Sequence, residues 1–174
     1  ANKTFDLLWK ASAEGAYPIV VDVTSCAFTL HKMKYALTPT NQDRFSALKI
    51  FDSVDFLYDV VMPTVKPKTL KDRVVVHPVC SLQKMKTEHK FVAIAKAFSK
   101  EVVVPRNAGC CGMAGDRGFL FPELTQAATH AEANEVRGHS CDGYFSSTRT
   151  CEIAMSEAVK SNYESILYLV DESI

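Results

Sequence analysis

The sequence predicts an α/β domain, with a mainly parallel sheet and helices on both faces. Three observations predict it. Short apolar runs rich in valine and isoleucine alternate with stretches of helical periodicity, the order that parallel strands with crossover helices require. The runs are apolar throughout, as strands covered on both faces are. Five of the six cysteines follow such a run within a few residues, where the functional groups of parallel sheets collect.

Taken in order, Thr4 to Ala13 reads as a helix with Phe5, Leu8 and Trp9 on one side. Tyr17 to Val23 (YPIVVDV) reads as a buried strand ending at Thr24-Ser25-Cys26. From Asn41 to Met62 the apolar residues Phe45, Leu48, Phe51, Val54, Leu57, Tyr58 and Val61 recur three or four apart, which predicts one long amphipathic helix closed by Pro63 and Pro67. Arg73 to His77 (RVVVH) predicts a second buried strand, closed by Pro78. Leu82 to Phe98 reads as a helix, and Glu101 to Val104 as a third strand stopped by Pro105. A loop from Arg106 to Gly118 carries four glycines. Pro122, in the favoured first-turn position, opens a helix to about Val136. Gly143 to Ser147 predicts a fourth strand, followed by Cys151 and a helix through Val159; Ser165 to Val170 reads as strand or helix. The layering is Rossmann-like.

Lysine plus arginine equals aspartate plus glutamate, 20 against 20, so nothing in the charge points to nucleic acid or an anionic membrane as the main partner. No apolar run is long enough to span a bilayer, and the start lacks the pattern of a signal peptide. Without a secretory signal, irregularly spaced cysteines with two adjacent favour metal binding or redox work over disulfides.

Cys80, Cys110, Cys111 and Cys151 are the candidate ligands of one metal or iron–sulfur site. Glycines around the Cys110-Cys111 pair let both thiolates turn to one centre; the alternative is two small buried hydrophobes. No Cys-x-x-Cys occurs, so the ligands come from far apart in sequence. His77 is a hydrogen-bonded structural histidine, a donor to a ligating thiolate or, less expected, a ligand. Arg106, Arg117 and Arg149 flank the cysteine loops and either offset the negative charge of a centre or serve as plain surface or ion-pair groups. His31, His89, His130 and His139 read as surface residues, and Cys141 as an unpaired thiol. No dinucleotide fingerprint, phosphate loop or nucleophile elbow is present. A faint repeat relates Ile19-Val20-Val21 and Thr24-Ser25-Cys26 to Tyr144-Phe145-Ser146 and Arg149-Thr150-Cys151.

His77-Pro78-Val79-Cys80, Cys110-Cys111-Gly112 and Thr148-Arg149-Thr150-Cys151 together resemble the cysteine-rich CCG domain family, found in the iron–sulfur parts of FAD-linked glycolate and D-lactate dehydrogenases and in a subunit of heterodisulfide reductase. Gly109 to Thr125 and Ser146 to Ser156 look most like the D-lactate dehydrogenase branch. The resemblance implies that residues 1–66 end a first repeat and include the long helix, and that 67–174 are a complete second repeat, in a fragment of a longer chain. It implies a 4Fe–4S cluster on the four cysteines, with zinc as the alternative, and FAD only in a missing N-terminal part. Thr148 stands where the family pattern has a fifth cysteine, which favours a four-thiolate site. Cys26 would be a ligand of the incomplete first repeat. The implied partners are the flavin domain of the same enzyme and a quinone or electron-acceptor protein. The implied location is cytoplasmic, open to peripheral association with the inner face of the membrane.

Overall fold

The computed structural model describes residues 1–174. The first part of the chain builds a small lobe. Helix α1 (Asn2–Ala11) leads to strand β1 (Ile19–Val21) and helix α2 (Thr24–Lys32). A 3-10 turn, Met33–Ala36, precedes helix α3 (Pro39–Phe45), strand β2 (Ile50–Asp52), the short helix α4 (Ser53–Phe56) and a π-helical turn, Leu57–Val61. The rest follows as β3 (Lys71–Val76), α5 (Cys80–Met85), α6 (Glu88–Phe98), β4 (Ser99–Val103), α7 (Arg117–Leu120), α8 (Pro122–Val136), β5 (Gly143–Ser146), α9 (Arg149–Val159), β6 (Tyr163–Ser165) and α10 (Ile166–Asp171).

Every strand pairing is parallel, but the strands form two sheets. β1 pairs with β2, and a four-stranded sheet runs in the order β4-β3-β5-β6. The valines of β3 show why helices cover both faces of the larger sheet. Val74, Val75 and Val76 are all fully buried, and successive side chains of a strand point to opposite faces. Val74 and Val76 pack with Leu82, Phe91, Ile94, Phe98 and Leu169, from α5, α6 and α10. Val75 packs with Ala133, Val136, Met155 and Val159, from α8 and α9. A strand that is apolar at every position is thus matched by an apolar layer on each side.

The long helix expected from Asn41 to Met62 does not form. The chain turns after α3 at Ala47 and Leu48, and Ile50-Phe51-Asp52 becomes a strand in register with Ile19-Val20-Val21. The periodicity was real but served two cores. Leu48 and Ile50 pack with Phe5 and Leu37 in the small lobe, whereas Val54 and Leu57 pack in the main core. β1 needs a partner for its backbone groups, and that need outweighs the helical pattern. β1 is also less covered than expected, with Val20 exposed. The helix expected over Leu82 to Phe98 is divided as well. Lys86 takes the left-handed conformation (φ 61°), and Thr87 N–H closes back on Leu82 O, so α5 ends there and α6 starts afresh.

Thr24 joins the lobes. Its N–H donates to Ser147 O at 3.0 Å, and its hydroxyl lies 2.8 Å from Ser147 Oγ and donates to Asp52 Oδ2 at 3.3 Å. Asp52 is fully buried, caps α4 through Val54 N–H at 3.3 Å and leaves Oδ1 without a partner. Burial, outweighing the hydrogen bond from Thr24, pushes its carboxyl up from 3.8 to about 6. The folded chain therefore holds this proton more tightly than the unfolded chain. The resulting contribution to stability is complete below pH 3.8 and fades as pH rises through about 6. Asp52→Asn keeps an acceptor for Thr24 and Val54. It is expected to abolish the pH-dependent loss of stability over that interval, about 3 kcal/mol. Urea denaturation of both proteins at the two ends of the interval checks this; parallel pH profiles would contradict it.

Candidate metal centre

The strand order explains how distant cysteines meet. From β3 the chain crosses to β4 on one side, and from β5 it crosses to β6 on the other. The crevice at such a reversal, beyond the carboxyl ends of β3 and β5, is where open α/β sheets place their ligands. β3 runs out through His77-Pro78-Val79 into Cys80, the first residue of α5. β5 runs out through Ser147 and Thr148 into α9, whose first turn carries Cys151. Cys110 and Cys111 enter on the loop after β4.

The structure brings these four thiols together. Cys111 Sγ lies 2.8 Å from Cys151 Sγ, well beyond the roughly 2.05 Å of a disulfide. Burial first, then Cys110 and Cys111, push the Cys80 thiol up. Cys111 is pulled down to about 6, first by the hydrogen bond from Cys151, against burial, with help from the Met113 N–H and from His77. Cys151 is pushed up by that same hydrogen bond, by burial and by the charges of Cys111, Cys80 and Cys110. Its place in the first turn of α9 favours a thiolate, but the neighbouring sulfurs win. The four sites thus compete for negative charge, and Lys84 beside Cys80 does not relieve the competition. No three His, Cys, Asp or Glu side chains stand in the coordination arrangement of a single ion. Sulfur donors are the chemistry that a soft cationic centre takes. Four sulfurs that repel one another as thiolates become compatible when a zinc ion or an iron–sulfur core supplies positive charge.

The other candidates occupy distinct positions. His77 is fully buried, with Nδ1 2.8 Å from Glu132 Oε1. Thr148 is buried and its hydroxyl has no partner. Arg149 is exposed and pairs with Glu152 at 3.0 Å, and Arg117 opens α7. Neither guanidinium is among the main influences on Cys80, Cys111 or Cys151. Cys26 is exposed on α2 and is likewise not among those influences. Cys141 is half-buried against the α8–α9 core, away from the set.

The glutamates of α8 were not anticipated. Glu135 accepts from Arg106 N–H at 2.8 Å and from Asn107 N–H at 3.1 Å, bonds that hold its carboxyl below the usual range. Glu132 accepts from Gly109 N–H at 3.4 Å. Together they fasten the start of the loop that carries Cys110 and Cys111. The available signal was Glu132 itself, a charged residue within the buried stripe Thr125, Thr129, Ala133, Val136. A cavity of about 260 Å³ opens between α8 and α9, and its lining includes Met113 and Ala154. No protein-family model matches the chain, and a search of curated proteins finds no match. No helix is long and apolar enough to cross a membrane.

Proposed function

We propose that this chain is the iron–sulfur electron-transfer domain of an FAD-linked D-2-hydroxyacid dehydrogenase, with D-lactate the expected substrate class. Cys80, Cys110, Cys111 and Cys151 would hold a 4Fe–4S cluster. The observation that supports the reading is the convergence of four thiols from three loops on one switch-point crevice, where their charges interact. When bound, such a cluster stores and releases single electrons at a potential set by its surroundings. The chain's own residues do the rest. Cys111 and Cys151 are 4 % and 6 % exposed, so the inner side of the site is shielded from water. Cys110 is exposed and gives the site a surface end toward a partner. In this reading the flavin domain of the same enzyme is the donor, a quinone or acceptor protein takes the electron, and the location is cytoplasmic or at the inner face of the membrane. In this reading the chain by itself would not turn over substrate.

The test is anaerobic reconstitution with iron and sulfide, followed by metal analysis, visible spectroscopy and EPR of the reduced sample. About four iron and four sulfide per chain, with a signal that appears on reduction, is the expected result. Stoichiometric zinc with no iron would replace this reading with a structural or docking module, because the same four sulfurs suit tetrahedral zinc.

A further inference from the structure

Glu132 occupies a position that packing alone does not explain. It is 2 % exposed, on the face of α8 turned toward the sheet. A buried carboxylate is costly unless its oxygens are matched. Both are matched: Oε1 lies 2.8 Å from His77 Nδ1, and Oε2 accepts from Gly109 N–H at 3.4 Å. One side chain therefore ties the residue that follows β3 to the residue that precedes Cys110. His77 is itself fully buried, and its second ring nitrogen, Nε2, has no partner. His77 is also among the groups that favour the thiolate of Cys111. With Nδ1 committed to the carboxylate, Nε2 is the nitrogen left for the sulfur site.

We infer that Nε2 of His77, unpartnered in the metal-free chain, is the hydrogen-bond donor to the sulfurs of the loaded cysteine site, and that Glu132 is the residue that positions it. The inference rests on the reading of the four cysteines as a metal-binding set. Metal-bound thiolates keep lone pairs and accept hydrogen bonds, and a buried donor without a partner meets that need. In this arrangement one proton lies between Nδ1 and Oε1 and another on Nε2, which leaves His77 and Glu132 together without net charge. A hydrogen bond to sulfur favours the more negative, reduced state of a cluster and so raises its potential.

The experiment reconstitutes the 174-residue chain anaerobically with iron and sulfide, alongside H77L, H77Q, E132Q and H77L/E132Q, and measures iron content and midpoint potential. H77L at full iron content is expected to have a more negative potential than the wild type. H77Q, which keeps an N–H donor, should recover part of the shift. E132Q should shift in the same direction by less, and H77L/E132Q should lie no lower than H77L, because Glu132 acts through His77. An unchanged potential in H77L, or an E132Q shift that adds in full to that of H77L, overturns the inference. If H77L takes up no iron, E132Q decides: a lower potential supports the inference and an unchanged one overturns it. A wild-type chain that binds zinc and no iron ends the iron–sulfur reading and leaves this inference to be judged on zinc affinity. Chelator competition should then show a loss of about 10- to 100-fold in H77L and E132Q, with recovery in H77Q. Equal zinc affinities in all the variants would overturn it.

Discussion

Cys111→Ala is expected to abolish metal binding while leaving the apo-chain folded. Cys111 is the member of the set that most readily becomes a thiolate, because Cys151, the Met113 N–H and His77 all stabilise its negative charge. Removing it takes away one of four ligands and also the partner that Cys151 holds at 2.8 Å. Loss of an outer hydrogen-bonding partner costs about 10- to 100-fold in metal affinity, and loss of a ligand should exceed that. The apo-chain should notice far less. Cysteine and alanine differ by one sulfur, so the truncation is expected to cost about 1 kcal/mol. The contrast makes the prediction specific: iron or zinc content falls to background while the urea midpoint barely moves. Cys141→Ala serves as the control, since Cys141 packs against the α8–α9 core and not with the four thiols. Metal content retained in Cys111→Ala, or lost equally in Cys141→Ala, would sink the four-thiol site.

Much of this arrangement was legible in the chain because its signals are local. RVVVH shows a strand buried on both faces without reference to any neighbour, and Pro122 to Val136 forms a helix over that span. The placement of cysteines just past strands followed from the same reading, and parallel strands then carry those ends to one edge. What failed depended on pairing. Nothing local in Ile50-Phe51-Asp52 distinguishes a strand from the helix that its spacing suggests; only β1, which lies well upstream in the chain, decides it. The order β4-β3-β5-β6, which puts Cys80 and Cys151 on either side of a reversal, is also a long-range outcome. Glu132 was missed for a related reason. Its partners, His77 and Gly109, come from two other segments, and a helical wheel shows only that a charge falls on the buried side.

Gly112→Ala should be among the most damaging single substitutions in the chain, and it should damage the fold and the site together. Gly112 takes φ +76°, a conformation that side chains other than glycine rarely adopt. A Cβ placed there would lie 2.7 Å from Leu124 O, 2.9 Å from Thr125 Cα and 3.0 Å from Ala128 Cβ. Two of these contacts are backbone atoms of α8, so no rotamer change relieves them. The positive φ alone costs about 1 kcal/mol or more, and displacing a packed helix adds to it. A total loss of roughly 3–5 kcal/mol is expected, against the 5–15 kcal/mol that holds a typical domain folded. α8 also carries Glu132 and Glu135, which fasten the loop from its other end, so a helix pushed away at Leu124 disturbs both supports of Cys110 and Cys111. Gly112→Ala should therefore lower the urea midpoint sharply and lose metal in the same step, unlike Cys111→Ala, which loses metal alone. Gly115→Ala separates the two costs, because Gly115 has φ +82° with nothing within 4 Å of an added Cβ. It should show only the conformational part, about 1 kcal/mol. Equal losses at the two glycines would mean that the close approach of the loop to α8 contributes nothing to stability.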